Sequence, residues 1–407
     1  PYNSMAISVN GRGTVTVNSG TYSTECITAE EAGNQGTSHG PWCAGVLNSG
    51  GTLIIKGGTF SNDNYGDNAL ATYARGLLLA DTGANIQIEG GVFNAVKAIV
   101  DIQNNLGDAS RNPSATISGG DFSYDPRISA SYASHLITIA AGYEAVEENG
   151  RWTVRKPQAL VDFEEAIAKG GNVTLSADIT LLEPVVIEGK EVVLDLNGKT
   201  VTAPLFSAFE AREGGVLTIK NGKVVAYEST VRAIGGKATI ESGDYTSTGT
   251  AVSSPATNRY SLDCREGGEL VVNGGTFKSN NGMINVGSTV TINGGKFENI
   301  VEKTSTRHFA FVSALLTIND GEFYGKANSS GGGCFFCGAA ASGDIQVNGG
   351  KFTSLWTSGS VNRIFEVYFG GTINVTGGMF NTNGGIATFV TENTDEATKA
   401  AYPYVAK

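Results

Sequence analysis

The stretch Leu270 to Phe277, LVVNGGTF, decides how the rest of the chain is read. Leu270 and Val272 are apolar and two residues apart, the spacing of a half-buried strand. Asn273-Gly274-Gly275 is turn chemistry, and Phe277 opens a second apolar segment five residues after Val272. A short strand therefore runs into a corner and a new strand leaves it. The same frame, an aliphatic residue with another aliphatic residue or Ala two positions before it, recurs at Val17, Ile55, Ile88, Ile117, Ile219, Ile240, Val272, Ile292, Ile318, Val347 and Val375, eleven copies in all.

Three positions after each central residue stands a glycine: Gly20, Gly58, Gly91, Gly120, Gly222, Gly243, Gly275, Gly295, Gly321, Gly350 and Gly378. Such a position needs either positive φ or a backbone approach too close for a Cβ. Five positions after stands an aromatic residue, Tyr22, Phe60, Phe93, Phe122, Tyr245, Phe277, Phe297, Phe323, Phe352 or Phe380, and only Val224 departs from the rule. Within each half of the chain the copies lie 20 to 38 residues apart, so loop lengths vary while the frame does not. That is the signature of a solenoid, in which a repeat buries its apolar face only by stacking on its neighbours.

Between the two aliphatic positions stands Thr, Gln or Asn in nine of the eleven copies, which gives the strand one polar face. Upstream of the frame lies a further apolar strand, such as Leu77 to Ala80 before Ile88 and Ile99 to Ile102 before Ile117. One rung thus reads strand, turn, strand, glycine corner, aromatic strand. The expected fold is all-β, a solenoid with three strands per rung. A β-propeller needs four strands per repeat and an immunoglobulin array about 100 residues per unit, and the copies are too short for either.

The frame lapses between Phe122 and Ile219, which divides the chain into modules 1–156 and 157–407 with a joint at Lys156-Pro157. Residues 123–156 hold an apolar strand from His135 to Ile139, then Gly142 to Val146, a turn at Asn149-Gly150 and Trp152-Thr153-Val154. A solenoid end leaves bare strand edges and a bare core, so this aromatic hairpin is expected to be a cap, with Tyr143 and Trp152 as its lid. Leu160, Phe163, Ala166 and Ile167 predict a short amphipathic helix over 159–169, suited to closing the start of the second module, and Asn197-Gly198 reads as a degenerate twelfth corner. Residues 386–407 repeat the flavour of the first cap and stop before any counterpart of Trp152. The chain also opens without Met, inside a rung, so a longer natural polypeptide is expected on both sides.

The 56 glycines are about twice the usual share, whereas prolines are few and charges sparse. A net charge of −11 argues against nucleic-acid partners, which demand a basic surface, and no run of 18 apolar residues exists to cross a membrane. The five cysteines form no metal pattern. Cys334-Phe335-Phe336-Cys337 lacks a second pair, alternation points Cys264 and Cys337 inward, and Cys26 and Cys43 flank one long loop and are a candidate disulfide. His39, His135 and His308 are isolated.

The stacked Gly-Gly-x-Phe corners with three short strands per turn resemble the right-handed parallel β-helix, or pectin-lyase-like, superfamily over the whole chain. The phrases NGGTF, LDLNGKTVT and GYEAVEENGRWTV look like repeat modules of large secreted or surface proteins of gut-dwelling bacteria, and similar modules occur in the fibres and spikes of their phages. The resemblance implies an extracellular, cell-surface or virion setting and adhesion to glycan or host-surface receptors. It also implies a homotrimer if the chain is a virion fibre. Polysaccharide lyases and glycoside hydrolases share this fold, so the residues themselves have to be searched for chemistry.

Hydrolases of this kind need paired carboxylates on one outer strand face, and lyases need a basic group beside acids that hold Ca²⁺. Glu210, Asp263 and Glu366 each lie nine residues before a central residue, and Arg212 and Arg265 lie seven before theirs. With Arg232 projecting between the first two carboxylates, Glu210, Arg212, Arg232, Asp263 and Arg265 are expected to form one charged patch. Either it is a solvated salt-bridge lattice or it is a sugar-binding or hydrolytic groove. Trp42, Tyr65, Tyr73, Tyr260, Trp356 and Tyr368, read as exposed aromatics, are candidates for stacking on sugar rings. The loop Asn62 to Asn68 gathers oxygen ligands, with Asp63 and Asp67 as candidates for Ca²⁺, and no other cofactor is expected.

Overall fold

The structure is a computed structural model that describes residues 3–4, 7–23, 42–43, 46–61, 77–81, 83–95, 98–102, 112–129, 134–249, 260–299, 309–325, 334–338, 343–354, 363–367, 371–382 and 385–388. Its elements are strands in several parallel sheets, with one α-helix among the described residues. The chain divides into two compact units, Pro1–Pro157 and Gln158–Lys407.

In the second unit the chain visits three sheets in fixed rotation, strands pairing in parallel with the third strand after them, until Gly385–Thr388 turns back antiparallel on Met379–Thr382; residues 389–407, the rest of the expected C-terminal cap, lie outside the described residues. The first sheet has nine strands, among them Glu191–Asp195, Val216–Lys220, Lys237–Ile240 and Glu269–Val272, and it carries the aliphatic frame. Its register superposes Leu194, Ile219, Ile240, Val272, Ile292, Ile318, Val347 and Val375 in one file. The second sheet carries the aromatic file, from Val201 and Val224 through Tyr245, Phe277, Phe297, Phe323 and Phe352 to Phe380. The third sheet has eight strands, from Val185–Ile187 to Arg363–Val367.

The first unit repeats the plan. Val17, Ile55, Ile88 and Ile117 superpose in a five-stranded parallel sheet, and Tyr22, Phe60, Phe93 and Phe122 superpose in the aromatic one. The file does not stop at Phe122. Ile137–Ile139 adds a fifth parallel strand with Ile139 over Ile117, and Gly142, three residues on, has φ +82°. No aromatic stands five residues after Ile139, which is why the frame looked lost there. The hairpin Glu144–Glu148 and Arg151–Arg155 then pairs antiparallel with Gly120–Phe122, setting Trp152 opposite Phe122, while Tyr143 and Trp152 pack half-buried on the core.

Direct superposition dictates the packing. Successive rings of the aromatic file sit with centroids 4.6 to 5.1 Å apart and planes within 16° of parallel. Each buried Ile or Phe contributes roughly 1.5 to 3 kcal/mol, and a stacked aromatic pair about 0.5 to 1.5 kcal/mol beyond its area. The unit 2 core begins under the helix Gln158–Lys169, whose Leu160, Phe163 and Ile167 are buried on one face. The helix stops at Gly170, where φ is +77° and the N–H reaches back to the Ala166 carbonyl at 3.1 Å.

Ten of the eleven corner glycines have φ between +103° and +136°. Gly222 differs, because Asn221 takes the left-handed conformation there at φ +60°. A Cβ on Gly222 would fall 2.2 Å from that of Leu196, so here the glycine answers to crowding. This is also the copy that carries Val224 in place of a ring. Gly275 combines both demands, with φ +112° and the Gly243 carbonyl oxygen 2.9 Å from where a Cβ would stand. Gly275→Val is expected to cost at least about 2 kcal/mol, against about 0.5 kcal/mol or less for the half-buried Thr276→Val; equal denaturation midpoints would contradict the corner's role.

Candidate functional site

The charged patch is built on the third sheet of unit 2. Along its strands two files turn inward, Phe209, Val231, Leu262 and Ile284 in one and Ala211, Ala233, Cys264 and Val286 in the other, all fully buried. Alternation puts the residue between them on the opposite face. In register this file is Glu210, Arg232, Asp263 and Asn285 on four consecutive strands: Phe209–Ala211, Val231–Ile234, Tyr260–Arg265 and Gly282–Val286.

Arg232 sits at the centre. Its Nη1 donates to Glu210 Oε1 at 3.1 Å, its Nε lies 3.3 Å from Asp263 Oδ2, and its Nη2 lies 3.9 Å from Glu228 Oε2. Arg212 grips the other oxygen of Glu210 through Nε at 2.9 Å and Nη2 at 2.5 Å, and this carboxylate holds the Arg212 guanidinium above its ordinary basicity. Asp263 accepts a hydrogen bond from the Asn285 amide at 2.7 Å on Oδ1, and the Arg265 Nε lies 3.4 Å from its Oδ2 as an ion pair. Glu210 and Asp263 retain only 2% and 5% of their exposure, so both charges are taken out of water and held by guanidinium groups. Four carboxylates, Glu210, Glu228, Asp263 and Glu266, face three arginines.

All five residues expected in the patch are therefore together, and the two carboxylates stand two strands, about 10 Å, apart. The space between them holds the Arg232 guanidinium. A sugar hydrolase would need a water or an anomeric carbon in that space. Glu366 lies on the same register file four strands beyond Asp263, past Asn285, Phe311 and Cys337, and its side chain is outside the described residues.

One expectation is overturned. Tyr260, expected to be an exposed ring, is 6% exposed and covers Gly282, because it opens a third-sheet strand whose neighbour closes over it. Cys337, expected to point inward, pairs in register with Phe311 and Glu366, and its side chain is outside the described residues. Cys264 is buried as a free thiol, and burial pushes it up to about 12. Trp42 and Cys43 lie in a two-residue strand paired with Asn3–Ser4, and their side chains are outside the described residues. Tyr65, Tyr73, Trp356, Tyr368, Asp63, Asp67, Cys26, His39 and His308 also lie outside them. Among the described residues no helix is long and apolar enough to cross a membrane.

A side-chain array escaped the sequence reading. At the residue after the central one, Asn348 donates to Asn319, Asn319 to Asn293, Asn293 to Asn273 and Asn273 to Glu241, at 2.7 to 3.0 Å, with Thr376 donating to Asn348 at 3.0 Å. The signal was present as Asn at one fixed offset in four consecutive copies. Asn285 and Glu228 were missed as members of the charged cluster.

Replacing Arg232 by Met would take one guanidinium from each of two buried carboxylates at once, and a loss of about 3 kcal/mol is expected in chemical denaturation. Arg212→Met, at a side chain 48% exposed, is expected to cost about 1 kcal/mol or less. Similar losses for the two variants would refute the central place of Arg232. No family model, no curated protein and no solved structure matches the chain.

Proposed function

We propose that the chain forms two consecutive right-handed parallel β-helix modules of the pectin-lyase-like kind, from a secreted, cell-surface or virion-fibre protein. In this reading they act without turnover, as a stiff spacer that presents its inter-strand loops to a glycan or a host-surface receptor. The coil is supported by the fixed rotation of the chain among three parallel sheets and by the superposition of one aliphatic and one aromatic file in each unit. Stiffness follows from it, since bending such a stack would unstack rings along its whole length.

The observation that carries the non-enzymatic reading is the occupancy of the charged patch. Both of its deeply buried carboxylates are engaged on each oxygen by arginine or asparagine, and an arginine stands between them. Such a cluster satisfies charges on a sheet face and leaves no pair of carboxylates free to act as acid and base. The runner-up, a polysaccharide lyase or hydrolase acting around Asp263, calls for the same residues to open toward substrate.

One comparison separates the two: a glycan array beside a reducing-sugar release assay on the same purified protein. Array binding without sugar release, unchanged in Asp263→Asn, is the expected result. Release that disappears in Asp263→Asn would replace the spacer by the enzyme, and neither binding nor release on any glycan would remove the glycan receptor.

A further inference from the structure

Nine Asn-Gly pairs punctuate the chain, at Asn10, Asn149, Asn197, Asn221, Asn273, Asn281, Asn293, Asn348 and Asn383. This dipeptide can modify itself. Hydroxide takes the proton from the glycine nitrogen, that nitrogen bonds to the asparagine Cγ, and the Cγ–N bond breaks to release ammonia, leaving a five-membered succinimide. Water then opens either carbonyl of the ring and gives aspartate or isoaspartate, so that the net change is water in and ammonia out. The reaction needs an amide free to rotate, an unengaged glycine N–H, room at the glycine, and water.

Six of the pairs fail at least one of these conditions. In the side-chain ladder Asn273, Asn293 and Asn348 each donate through Nδ2 and accept at Oδ1. A Cβ on the glycine that follows each would lie 3.0, 3.0 and 2.5 Å from a carbonyl oxygen of the preceding rung, so those corners are closed. Asn221 donates to the Asp195 carboxylate and accepts from Ser242, and Gly198 after Asn197 donates its N–H to the Asn221 carbonyl at 2.6 Å. Asn281 is fully buried, and Gly282 after it lies against the Tyr260 ring.

Asn149 meets every condition. It forms the exposed turn of the cap hairpin with Gly150, beyond the last paired residues Glu148 and Arg151, and it makes no side-chain hydrogen bond among the described residues. A Cβ built on Gly150 would meet nothing within 4 Å. The side chains of Asn10 and Asn383 lie outside the described residues.

We propose that Asn149 is a site of spontaneous conversion to aspartate and isoaspartate, and that the asparagine ladder shields the chemically identical Asn-Gly pairs at Asn273, Asn293 and Asn348. The modification lands where it matters to the first unit. Either product adds a negative charge beside Glu147 and Glu148, and isoaspartate lengthens the main chain inside the two-residue turn that holds Trp152 opposite Phe122. The cap loosens with age while the stacked corners do not.

The test is peptide mapping by mass spectrometry after incubation in mildly alkaline buffer, following amide-to-acid conversion at each Asn-Gly. In the folded protein Asn149 is expected to convert at least about tenfold faster than Asn273, Asn293 or Asn348, and in urea the four rates are expected to converge. Equal rates in the folded protein, or a ladder site faster than Asn149, would overturn the proposal. So would a difference that persists unchanged in urea, since it would then belong to local sequence. Asn319→Val removes the donor to Asn293 and the acceptor of Asn348 and is expected to raise conversion at both; no rise would overturn the shielding.

Discussion

Parallel in-register pairing is the constraint on which the rest of the structure depends. When strand lies on strand without a shift, every residue type is placed over its counterpart one rung away, about 4.8 Å along the sheet. Whatever a position does once it must do in every rung. An inward aliphatic residue becomes a buried file, a ring becomes a stack, and a corner that needs a left-handed residue needs one each time. The sequence periodicity and the three-dimensional stack are one fact viewed in two ways.

This explains which parts were legible. The central residues and rings recur at a fixed offset because the corner between their two strands always has the same length, and their register is as the spacing implies. The third sheet is joined to the first by corners of unequal length. Glu210 and Asp263 lie nine residues before their central residues, Arg232 eight and Asn285 seven, yet all four share one file. Counting back from the frame therefore found the carboxylates and lost Asn285.

Superposition also decides how polar groups are handled. Like residues stacked on a strand face suit uncharged amides, because each amide has both a donor and an acceptor, and Asn273, Asn293, Asn319 and Asn348 use them head to tail. Charges cannot repeat in this way, since like charges directly opposite destabilise a sheet. The file on the third sheet accordingly alternates, with carboxylate, guanidinium and carboxylate in Glu210, Arg232 and Asp263, and then passes to an amide at Asn285. Arg212 and Arg265 lie two residues along the strand from the carboxylates they hold and add a second guanidinium to each.

The ends are where this logic stops. An in-register stack has no intrinsic terminus, so each end needs an element that breaks the pattern: the last described strand of the second unit, Gly385–Thr388, turns back antiparallel on Met379–Thr382, and two further ends show other solutions. The second unit begins under a helix whose three buried residues fill the place of a preceding rung. The first unit finishes by reversing direction: the hairpin pairs antiparallel with the last aromatic strand, and Arg151 bonds Asp121 and reaches Asn94 one rung deeper. Arg127 lies over the Trp152 ring, 4.8 Å from its centroid, so a cation rather than another ring packs on this side chain of the lid. A cap made this way depends on a tight two-residue turn, and it needs residues that the repeat never uses. The most regular part of the chain is therefore protected by its least regular part.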